Sequence, residues 1–592
     1  MKDIQNTIEQ SAISIVDRER TSWQNTYCFV TDKVAFDMRN LINQLRKNYW
    51  GVFNEANDPI TQKKKIWIPL TESIVNFVVK NIDLDTKDIN VKAKRPSKFV
   101  LSKVLRSIIR SALDHMNFGE KLDLLERDIA IDGTKVWKTI DKMDYKSKKR
   151  TVQIATPDLL NLYLDPTSES IQEAYRFTER ALMTEDEIRG MDWLNTDKVV
   201  AKTGLSKNED ILNVSSSTSK YIDVWELWGK IPEYLITGDK KDKKEIDGHI
   251  VVSGLDGGEK LVHLIERNIG GKKPYEEAWF EKVSNRWYGR GVAEKVMWLQ
   301  LWINTIVNIR ITREQVSQLG IFKIKRGSGI TPQMIGKLAA NGAIQVNSQD
   351  DIEQFVMQDI PASAFNEESN VYNWAKQVTS TFEAVTGEKL PGETSATAVS
   401  SMAIAAGSQF VLIKEGIGHF IRRWLNNQAI PIMMHNVKTE DIITILGEDY
   451  ELDELDELYV NSLMASQIEN ANTKGIILDP EQVALDKQSA LNKLKKDGGK
   501  RFIKLLESID LNDFDIDVDV TNERSDKAVI MQNLTVALQA APEYRESILK
   551  SLFDLMGLQF KPIKSQPVAT PKTPGGPQTD GQAFTQANTM QQ

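Results

Sequence analysis

The stretch YGRGVAEKVMWLQLWINTIVNIRITREQ (residues 288–315) lies near the middle of the chain and predicts one long helix. Apolar residues recur in it at spacings of three and four, which places them on one helical face: Val292, Val296, Leu299, Ile303 and Ile306. Further apolar residues lie off that face: Trp298, Leu301, Trp302, Val307 and Ile309. Three amides, Gln300, Asn304 and Asn308, lie four residues apart on one side. Such a helix is expected to contact neighbours on several sides while keeping a polar stripe.

The composition is typical of a soluble globular protein, with 41% hydrophobic and 27% charged residues. A chain of 592 residues is too long for one core and predicts three or four domains or subdomains. The net charge of −8 and the pI of about 5.5 provide no global positive field for nucleic acid. Cys28 is the only cysteine, which excludes a disulfide scaffold or a cysteine-rich zinc site and fits a reducing compartment.

The sequence predicts neither a signal peptide nor a membrane span. The first ten residues, MKDIQNTIEQ, are charged and lack an apolar stretch. No run approaches 18 consecutive apolar residues, and the nearest candidate, residues 396–406, is short and contains Ser and Thr. We therefore expect no insertion into a membrane.

The residues before the long helix divide into a helical part and a β-rich part. Residues 1–145 are mainly helical in pattern, although residues 129–144 predict a strand or helix end, a glycine turn and then a strand. Thr184 and Glu187 have the spacing of a capping box. Residues 220–290 predict strands, with turns at Gly229 and at the Gly257-Gly258 pair.

A small α/β insert is predicted to follow the long helix. Its strand-like segments are IFKIKRG, AIQVNS and IEQFVMQDI, and a short helix is predicted at 331–342. A second helix is predicted at about 367–385 and a third at about 396–427, which is small-sided in its first half and stops before Pro431. The segment between them is expected to be a flexible loop, because it contains two glycines and a proline.

The last third of the chain predicts helices and then disorder. Residues 437–560 are expected to be helical, interrupted by the strand FDIDVDV. The residues from Pro562 onward are rich in Pro, Gln, Thr and Gly, a composition that cannot build a packed core.

The chain carries no motif that binds a nucleotide phosphate. The pattern GxxxxGK[ST] is missing from the sequence. The segment beginning at Gly289 resembles the start of GxGxxG, but its sixth position is Glu294, whose carboxylate would repel a pyrophosphate. We interpret the two glycines as a tight strand-to-helix turn.

Carboxylate clusters and histidines provide only weak candidates for chemistry. Asp513, Asp515, Asp517 and Asp519 alternate with apolar residues, which favours a half-buried strand and leaves a weak cation site as the alternative. Residues 448–457 predict a solvated helix face or loop, or an acidic patch that repels DNA. The histidines show no metal-ligand spacing: His115, His249, His263, His419 and His435. We predict no enzyme, no catalytic residue, no metal site and no cofactor.

Three segments, in their order along the chain, resemble the portal proteins of tailed bacteriophages, in particular short-tailed ones. The segment PYEEAWFEKVSNRWYGRGVAEKVMWLQLWINTIVNIRITRE (274–314) is similar to the portal pattern of a Pro-led strand, YGxG and a stem helix. LPGETSATAVS (390–400) looks like a tunnel loop entering a tunnel-lining helix, and ATPDLLNLYLDPTSESIQEAYRFTERALMTEDEI (155–188) like a wing segment. The resemblance covers about residues 60–430, and residues 437–560 match only in architecture.

The resemblance implies an α+β fold, mainly helical, whose protomers assemble as a ring. The implied segments are, in chain order, a wing (1–290), a first stem helix (291–320), a clip (321–365), a second stem helix (366–386), a tunnel loop (387–395), a tunnel-lining helix with the wing return (396–520), a helical crown (521–560) and a disordered tail (561–592).

The same resemblance implies a dodecameric head–tail connector at one vertex of the capsid, through which double-stranded DNA is packaged and ejected. Its implied partners are the large subunit of the terminase, tail or adaptor proteins, capsid protein and scaffold protein. The protein would be assembled in the host cytoplasm and reside in the virion. In this family the ATP hydrolysis belongs to the terminase, which fits the missing phosphate loop.

Two sets of site residues follow from the resemblance. The tunnel loop would project into the channel: Glu388, Lys389, Leu390, Pro391, Gly392, Glu393 and Thr394. The stem-helix interface would use Gln300, Trp302, Asn304 and Asn308, whose amides could bond between helices or face the channel. Two other functions stay open: another structural or adaptor protein of a virion, and a metal-dependent nuclease that uses Asp513 to Asp519.

Overall fold

The computed structural model describes most of the chain up to residue 436 and parts of it beyond. The described residues are 2–23, 27–31, 34–52, 57, 64–82, 84, 89–94, 98–144, 149–203, 220–239, 244–284, 286–318, 321–331, 346, 348–355, 362–381, 396–436, 456–461, 464, 467–468, 480–497, 514–518, 534 and 549. The predicted tunnel loop and tail lie outside them, and so, apart from single positions, do the predicted crown and the predicted short helix at 331–342.

Helical residues outnumber strand residues, about 55% against 21%, so the fold is a mixture of α and β with more helix, as predicted. The elements below belong to one compact unit, Met1–Val520. The described helices are α1 (Lys2–Ser22), α2 (Met38–Trp50), α3 (Leu70–Ile82), α4 (Phe99–His115), α5 (Phe118–Asp132), α6 (Glu185–Arg189), α7 (Tyr234–Thr237), α8 (Val292–Gln318), α9 (Ala362–Thr379), α10 (Ala396–Trp424), α11 (Ile430–Asn436) and α12 (Pro480–Asp497).

The described strands form antiparallel sheets. They are β1 (Tyr27–Thr31), β2 (Val34–Asp37), β3 (Ile89–Ala93), β4 (Thr134–Asp144), β5 (Lys149–Ala155), β6 (Leu162–Leu164), β7 (Arg176–Met183), β8 (Lys202–Thr203), β9 (Lys220–Pro232), β10 (Glu245–Ser253), β11 (Leu261–Arg267), β12 (Tyr275–Trp279), β13 (Ile321–Ile324), β14 (Ile352–Phe355) and β15 (Phe514–Val518). The largest sheet has the order β11-β10-β9-β7-β6 with β8 beside β9, and a three-stranded sheet has the order β12-β4-β5. The remaining strands pair as β1-β2, β13-β14 and β3-β15.

The large sheet is covered on one face by α1. Ala12, Ile13 and Val16 of α1 lie in one apolar cluster with Trp225 and Leu227 of β9. The opposite face meets the three-stranded sheet, where the Phe177 ring lies 4.5 Å from the Tyr275 ring. Trp228 of β9 packs against the apolar cluster on this second face, so alternate residues of β9 contribute to two different cores.

Helix α8 runs through the largest apolar core and contacts α2, α3, α5 and α9. Its buried residues in that core include Val292, Val296, Ile303 and Val307. The prediction that this helix contacts neighbours on several sides is confirmed within the single chain.

The turn before α8 is a close junction of glycines. A Cβ added at Gly289 would lie 2.6 Å from the carbonyl oxygen of Gly133, and one at Gly291 would lie 2.8 Å from that of Ala130. The Gly289 amide donates to Thr134 Oγ1 at 2.6 Å, and the Tyr288 hydroxyl donates to the Asp132 carbonyl oxygen. The glycines are needed for close backbone contact between this turn and the end of α5, which agrees with the interpretation as a strand-to-helix turn.

Helices α8 and α9 form an antiparallel hairpin whose connection includes the paired strands β13 and β14. Arg310, near the end of α8, pairs with Glu368, near the start of α9, at 2.6 Å. Helix α9 ends at Thr379, before the predicted end at residue 385. Its end is a Schellman motif, in which Ser380 has a φ of 56° and the Thr381 amide donates to the Lys376 carbonyl oxygen at 3.0 Å.

Two further sequence predictions differ from the structure. Gly229 does not lie in a turn but inside β9, with a φ of 134°, where a Cβ would collide with the Tyr175 carbonyl oxygen. The third helix does not stop before Pro431: α10 continues through a π-helical turn, Leu425–Ala429, into α11. Pro431 has no amide hydrogen to donate to the preceding turn. Because the π-helical turn before it is wider, the chain stays helical past the proline.

Candidate assembly site

The three amides of α8 bind the extended segment that leads into α3. Gln300 Oε1 accepts from the Thr71 amide at 2.8 Å, and Gln300 Nε2 donates to the Ile68 carbonyl oxygen at 2.6 Å. Asn304 Oδ1 accepts from the Ile68 amide at 3.0 Å. Asn308 Oδ1 accepts from the Ile66 amide at 2.7 Å, and its Nδ2 donates to the Ile66 carbonyl oxygen at 2.8 Å. We call these contacts the amide ladder.

The amide ladder depends on a match between two repeat lengths. Four residues of a helix rise about 6 Å, and two residues of an extended chain rise about 6.6 Å. Asn308 and Asn304, four residues apart, can therefore reach the backbone of Ile66 and Ile68, which are two residues apart. Gln300 departs from this register and binds Ile68 together with Thr71 at the start of α3. Each amide offers both a donor and an acceptor, so it can replace the neighbour that a strand would have in a sheet.

The ladder also explains why polar groups are tolerated in this core. Gln300 and Asn304 are buried, and Gln300 Oε1 accepts a second hydrogen bond, from Thr71 Oγ1, at 2.9 Å. Asn304 Nδ2 has no hydrogen-bond acceptor among the described residues, so the middle of the ladder is its weakest point. The amides engage their own chain, whereas the predicted role of the same residues between subunits stays a prediction.

The side of α8 that carries Trp302 is exposed and apolar. Trp298 is 71% exposed, Trp302 57% and Ile309 63%. Their spacings of four and seven residues place them along one stripe of the helix. In the antiparallel partner α9, Trp374 and Val378 are also exposed. We call these five exposed apolar residues of the hairpin the hairpin stripe.

The remaining predicted site residues have different outcomes. The tunnel-loop residues 388–394 lie outside the described residues. In the aspartate-rich segment, Phe514 and Ile516 of β15 are buried and the strand pairs with β3, so the strand and its buried apolar face are confirmed there. Asp513 and Asp519 lie outside the described residues. Among the described residues, no group of three or more His, Cys, Asp or Glu could hold a metal ion.

Sequence reasoning missed a buried ionic network between the two larger sheets. Lys138 Nζ lies 2.7 Å from Glu179 Oε2 and 2.9 Å from Glu226 Oε1, and the Tyr275 hydroxyl donates to Glu179 Oε2 at 2.5 Å. Burial opposes the ionisation of Glu226, but the Lys138 ammonium outweighs it and lowers the pKa of this carboxyl to about 2. Burial raises the pKa of Glu179. The network joins β4, β7 and β9, which are distant in sequence, so no local pattern could reveal it.

Two histidines are also structural. The His249 ring stacks on Trp228 at 3.8 Å between centroids, and its Nδ1 lies 3.1 Å from Glu266 Oε1. His263 Nδ1 lies 2.7 Å from the Leu194 carbonyl oxygen, and burial lowers the pKa of His263. The prediction that these histidines are structural is consistent with these contacts.

Comparison with known proteins leaves the chain without an assigned family. No family model matches it, and no curated protein matches it either. Among the described residues, no helix has the length and apolar character needed to cross a membrane.

Proposed function

We propose that this chain is a portal protein of a tailed bacteriophage. Twelve copies would form a ring at one capsid vertex, and double-stranded DNA would pass through its central channel during packaging and ejection. The terminase would dock on the ring during packaging, and the tail or adaptor proteins would replace it afterwards. The protein would act in the virion without catalysing a reaction itself.

The observation that carries the proposal is the hairpin of α8 and α9. It follows a β-rich region, its two helices are antiparallel, and the connection between them includes a two-stranded antiparallel sheet. This is the order of wing, stem, clip and stem that the resemblance in the sequence implies. The insert at the end of the hairpin would be the clip, to which the terminase and then the tail bind.

The hairpin stripe supports the assembly of copies side by side. The amide ladder binds one side of α8 to its own chain, and Trp298 and Trp302 are left exposed on the helix. Exposed tryptophans at helical spacing favour contact with a further apolar surface. In a ring, each hairpin has a neighbour on both flanks, and the contact between copies is heterologous and closes on itself.

The overall acidity is compatible with a conduit for DNA. Each phosphate contact made by Lys or Arg adds affinity through counterion release, so a strongly basic lumen would slow translocation. A chain with a net charge of −8 does not produce a strongly positive field overall. Lys389 is the one basic residue of the tunnel loop and lies beside Glu388 and Glu393 in the sequence, which fits weak and reversible contact.

Light scattering and negative-stain electron microscopy of the purified full chain test the proposal. We expect rings with a central hole and a mass of about 0.8 MDa, which corresponds to twelve copies of the 67.1 kDa chain. A monodisperse 67.1 kDa monomer across a range of salt concentrations would contradict it.

A second experiment distinguishes a portal from another ring-forming virion protein. Deletion of residues 388–393 should leave the rings intact in micrographs but lower the amount of DNA packaged or retained in heads. Rings that fill heads with fully retained DNA after this deletion would show that the tunnel-loop assignment is wrong.

A further inference from the structure

Residues 171–174, which precede β7, are fastened to the start of β12 by polar side chains. Gln172 Oε1 accepts from the Lys273 amide at 3.0 Å, and Gln172 Nε2 donates to the carbonyl oxygens of Lys273 at 2.8 Å and Tyr275 at 2.6 Å. Lys273 Nζ donates to the carbonyl oxygens of Gln172 at 2.9 Å and Ala174 at 2.8 Å. Lys273 is only 5% exposed, so an ammonium group is buried at this contact.

Glu277 adds a buried carboxylate to the same contact. Its Oε1 accepts from the Ile171 amide at 3.2 Å, while its Oε2 is buried and has no hydrogen-bond partner among the described residues. Ile171 and Val136, which is opposite Glu277 in the paired strand β4, belong to one apolar cluster. The carboxylate therefore lies beside apolar side chains with a single hydrogen bond. Together with the contacts of Gln172 and Lys273, this bond forms what we call the β12 latch.

The two ionisable groups of the β12 latch are not compensated by opposite charges. Within the part of the chain that the structure describes, neither Lys273 nor Glu277 forms an ion pair. Arg423 lies 3.6 Å from Glu276 Oε2, and it donates to the carbonyl oxygen of Glu277 at 2.9 Å rather than to the carboxylate. Burying a charge without an ionic partner is costly, so each group destabilises the latch when it is charged.

The charged residues of the surrounding elements cannot supply the missing partner, because they pair with one another. These pairs are Lys230 with Asp247, Lys138 with Glu179 and Glu226, Lys135 with Asp128, and Arg46 with Asp132. They cover the facing charges of β4, β7, β9, β10 and α5. The charge on the latch can therefore be removed only by a change in protonation.

The protonation of Glu277 changes near neutral pH. Burial raises the pKa of this carboxyl from 4.5 to about 7, the Glu276 charge raises it further and Arg423 opposes the rise. Because the folded pKa lies above the unfolded one, the stability that the proton provides is complete below pH 4.5 and is lost as the pH rises to about 7.

The protonation of Lys273 changes at a slightly higher pH and in the opposite sense. Burial lowers the pKa of this ammonium from 10.5 to about 8, whereas the Asp247 and Glu277 charges oppose the fall. Because the folded pKa lies below the unfolded one, the stability that the neutral amine provides is complete above pH 10.5 and is lost as the pH falls to about 8. Between pH 7 and 8 both groups are charged, so the latch is weakest there.

We infer that the β12 latch is a pH-sensitive fastening, which holds residues 171–174 tightly under mildly acidic conditions and opens more readily at neutral pH. The segment leads into β7 of the large sheet, and β12 belongs to the three-stranded sheet. The latch therefore adjusts how firmly the two sheets are joined. It is independent of the hairpin and of the proposed function.

Hydrogen exchange of the full chain, measured by mass spectrometry at pH 6 and pH 8, tests the latch. The readout is the protection factor of peptides that cover residues 168–176, corrected for the intrinsic exchange rate at each pH. In the wild type we expect protection to fall about fivefold from pH 6 to pH 8, because opening lets the carboxyl of Glu277 ionise in water. Peptides that cover α3 should show a smaller change.

Glu277→Gln separates the titration from the shape of the side chain. Glutamine still offers an oxygen to the Ile171 amide but carries no charge, so the fall in protection should disappear. Glu173→Gln, at an exposed carboxylate of the same segment, is the matched control and should keep the wild-type fall. A fall in Glu277→Gln equal to that of the wild type would overturn the proposal.

The wild type alone decides the matter if Glu277→Gln does not fold. A fall in protection that is larger at residues 168–176 than in α3 supports the latch. Equal protection at both pH values, or an equal fall in both regions, overturns it.

Discussion

At the scale of single residues, Gln300 determines how the segment before α3 meets α8. Its amide makes three hydrogen bonds: two with the amide and Oγ1 of Thr71, in the first turn of α3, and one with the carbonyl oxygen of Ile68, in the segment before it. Gln300 and Thr71 are fully buried, so water cannot replace the amide if it is removed. The two Thr71 donors and the Ile68 carbonyl oxygen would then lack a hydrogen-bond partner. Unpaired buried groups cost about 1–3 kcal/mol each, more than a hydrogen bond contributes net.

Gln300→Leu should therefore destabilise this junction by about 3 kcal/mol. We expect faster hydrogen exchange in peptides that cover residues 64–72, measured by mass spectrometry, because their amides lose a partner. Thr305→Val, at an exposed position of the same helix, is the control and should leave exchange unchanged. Equal exchange in both variants would show that the ladder does not hold the segment.

At the scale of elements, the glycine junction sets the start of α8 against the end of α5. Gly133 has a φ of 85°, and a Cβ there would lie 2.5 Å from the Gly289 carbonyl oxygen. Both sides of the contact are backbone, so neither can move aside as a flexible side chain could. The Phe280 amide also donates to the Gly133 carbonyl oxygen at 3.0 Å, which ties β12 to the same point.

Gly289→Ala should destabilise the protein by on the order of 3 kcal/mol or more, because the new methyl group forces two backbone segments apart. Thermal unfolding checks this, with a marked fall in Tm expected. Gly270→Ala is the matched control, since a Cβ there meets no atom within 4 Å. A Tm of Gly289→Ala as high as that of the control would show that the junction can open without cost.

At the scale of the whole molecule, the proposed ring requires that a neighbouring copy covers the hairpin stripe. Exchange of Trp298 and Trp302 for glutamine should give folded protein of normal Tm that stays monomeric in light scattering. The reason is that both side chains are exposed in the single chain, so the changes remove a contact between copies and little within one. Ile269→Gln, at a residue that is 94% exposed outside the hairpin, should leave the assembly intact. Intact rings in the double variant would exclude the stripe from the subunit contact.

Local patterns were sufficient for several elements. The long helix α8, the strand β15 and the Thr184–Glu187 capping box are confirmed, because each depends on residues close together in the chain. The Gly257-Gly258 pair also lies in the connection between β10 and β11, as predicted. Where the signal was weaker, as at Ser380 in place of a C-terminal glycine, the predicted end of the helix was wrong.

The sequence by itself determined the mixture of helix and strand, the long multi-sided helix and its amide stripe. Only the tertiary structure decided what the stripe binds, because Gln300 and Thr71 are 229 residues apart. The same holds for Gly229, which is needed for the close approach of the Tyr175 backbone. Periodicity reports which side of an element is apolar, whereas the partner of a polar or glycine residue depends on distant segments that only folding brings together.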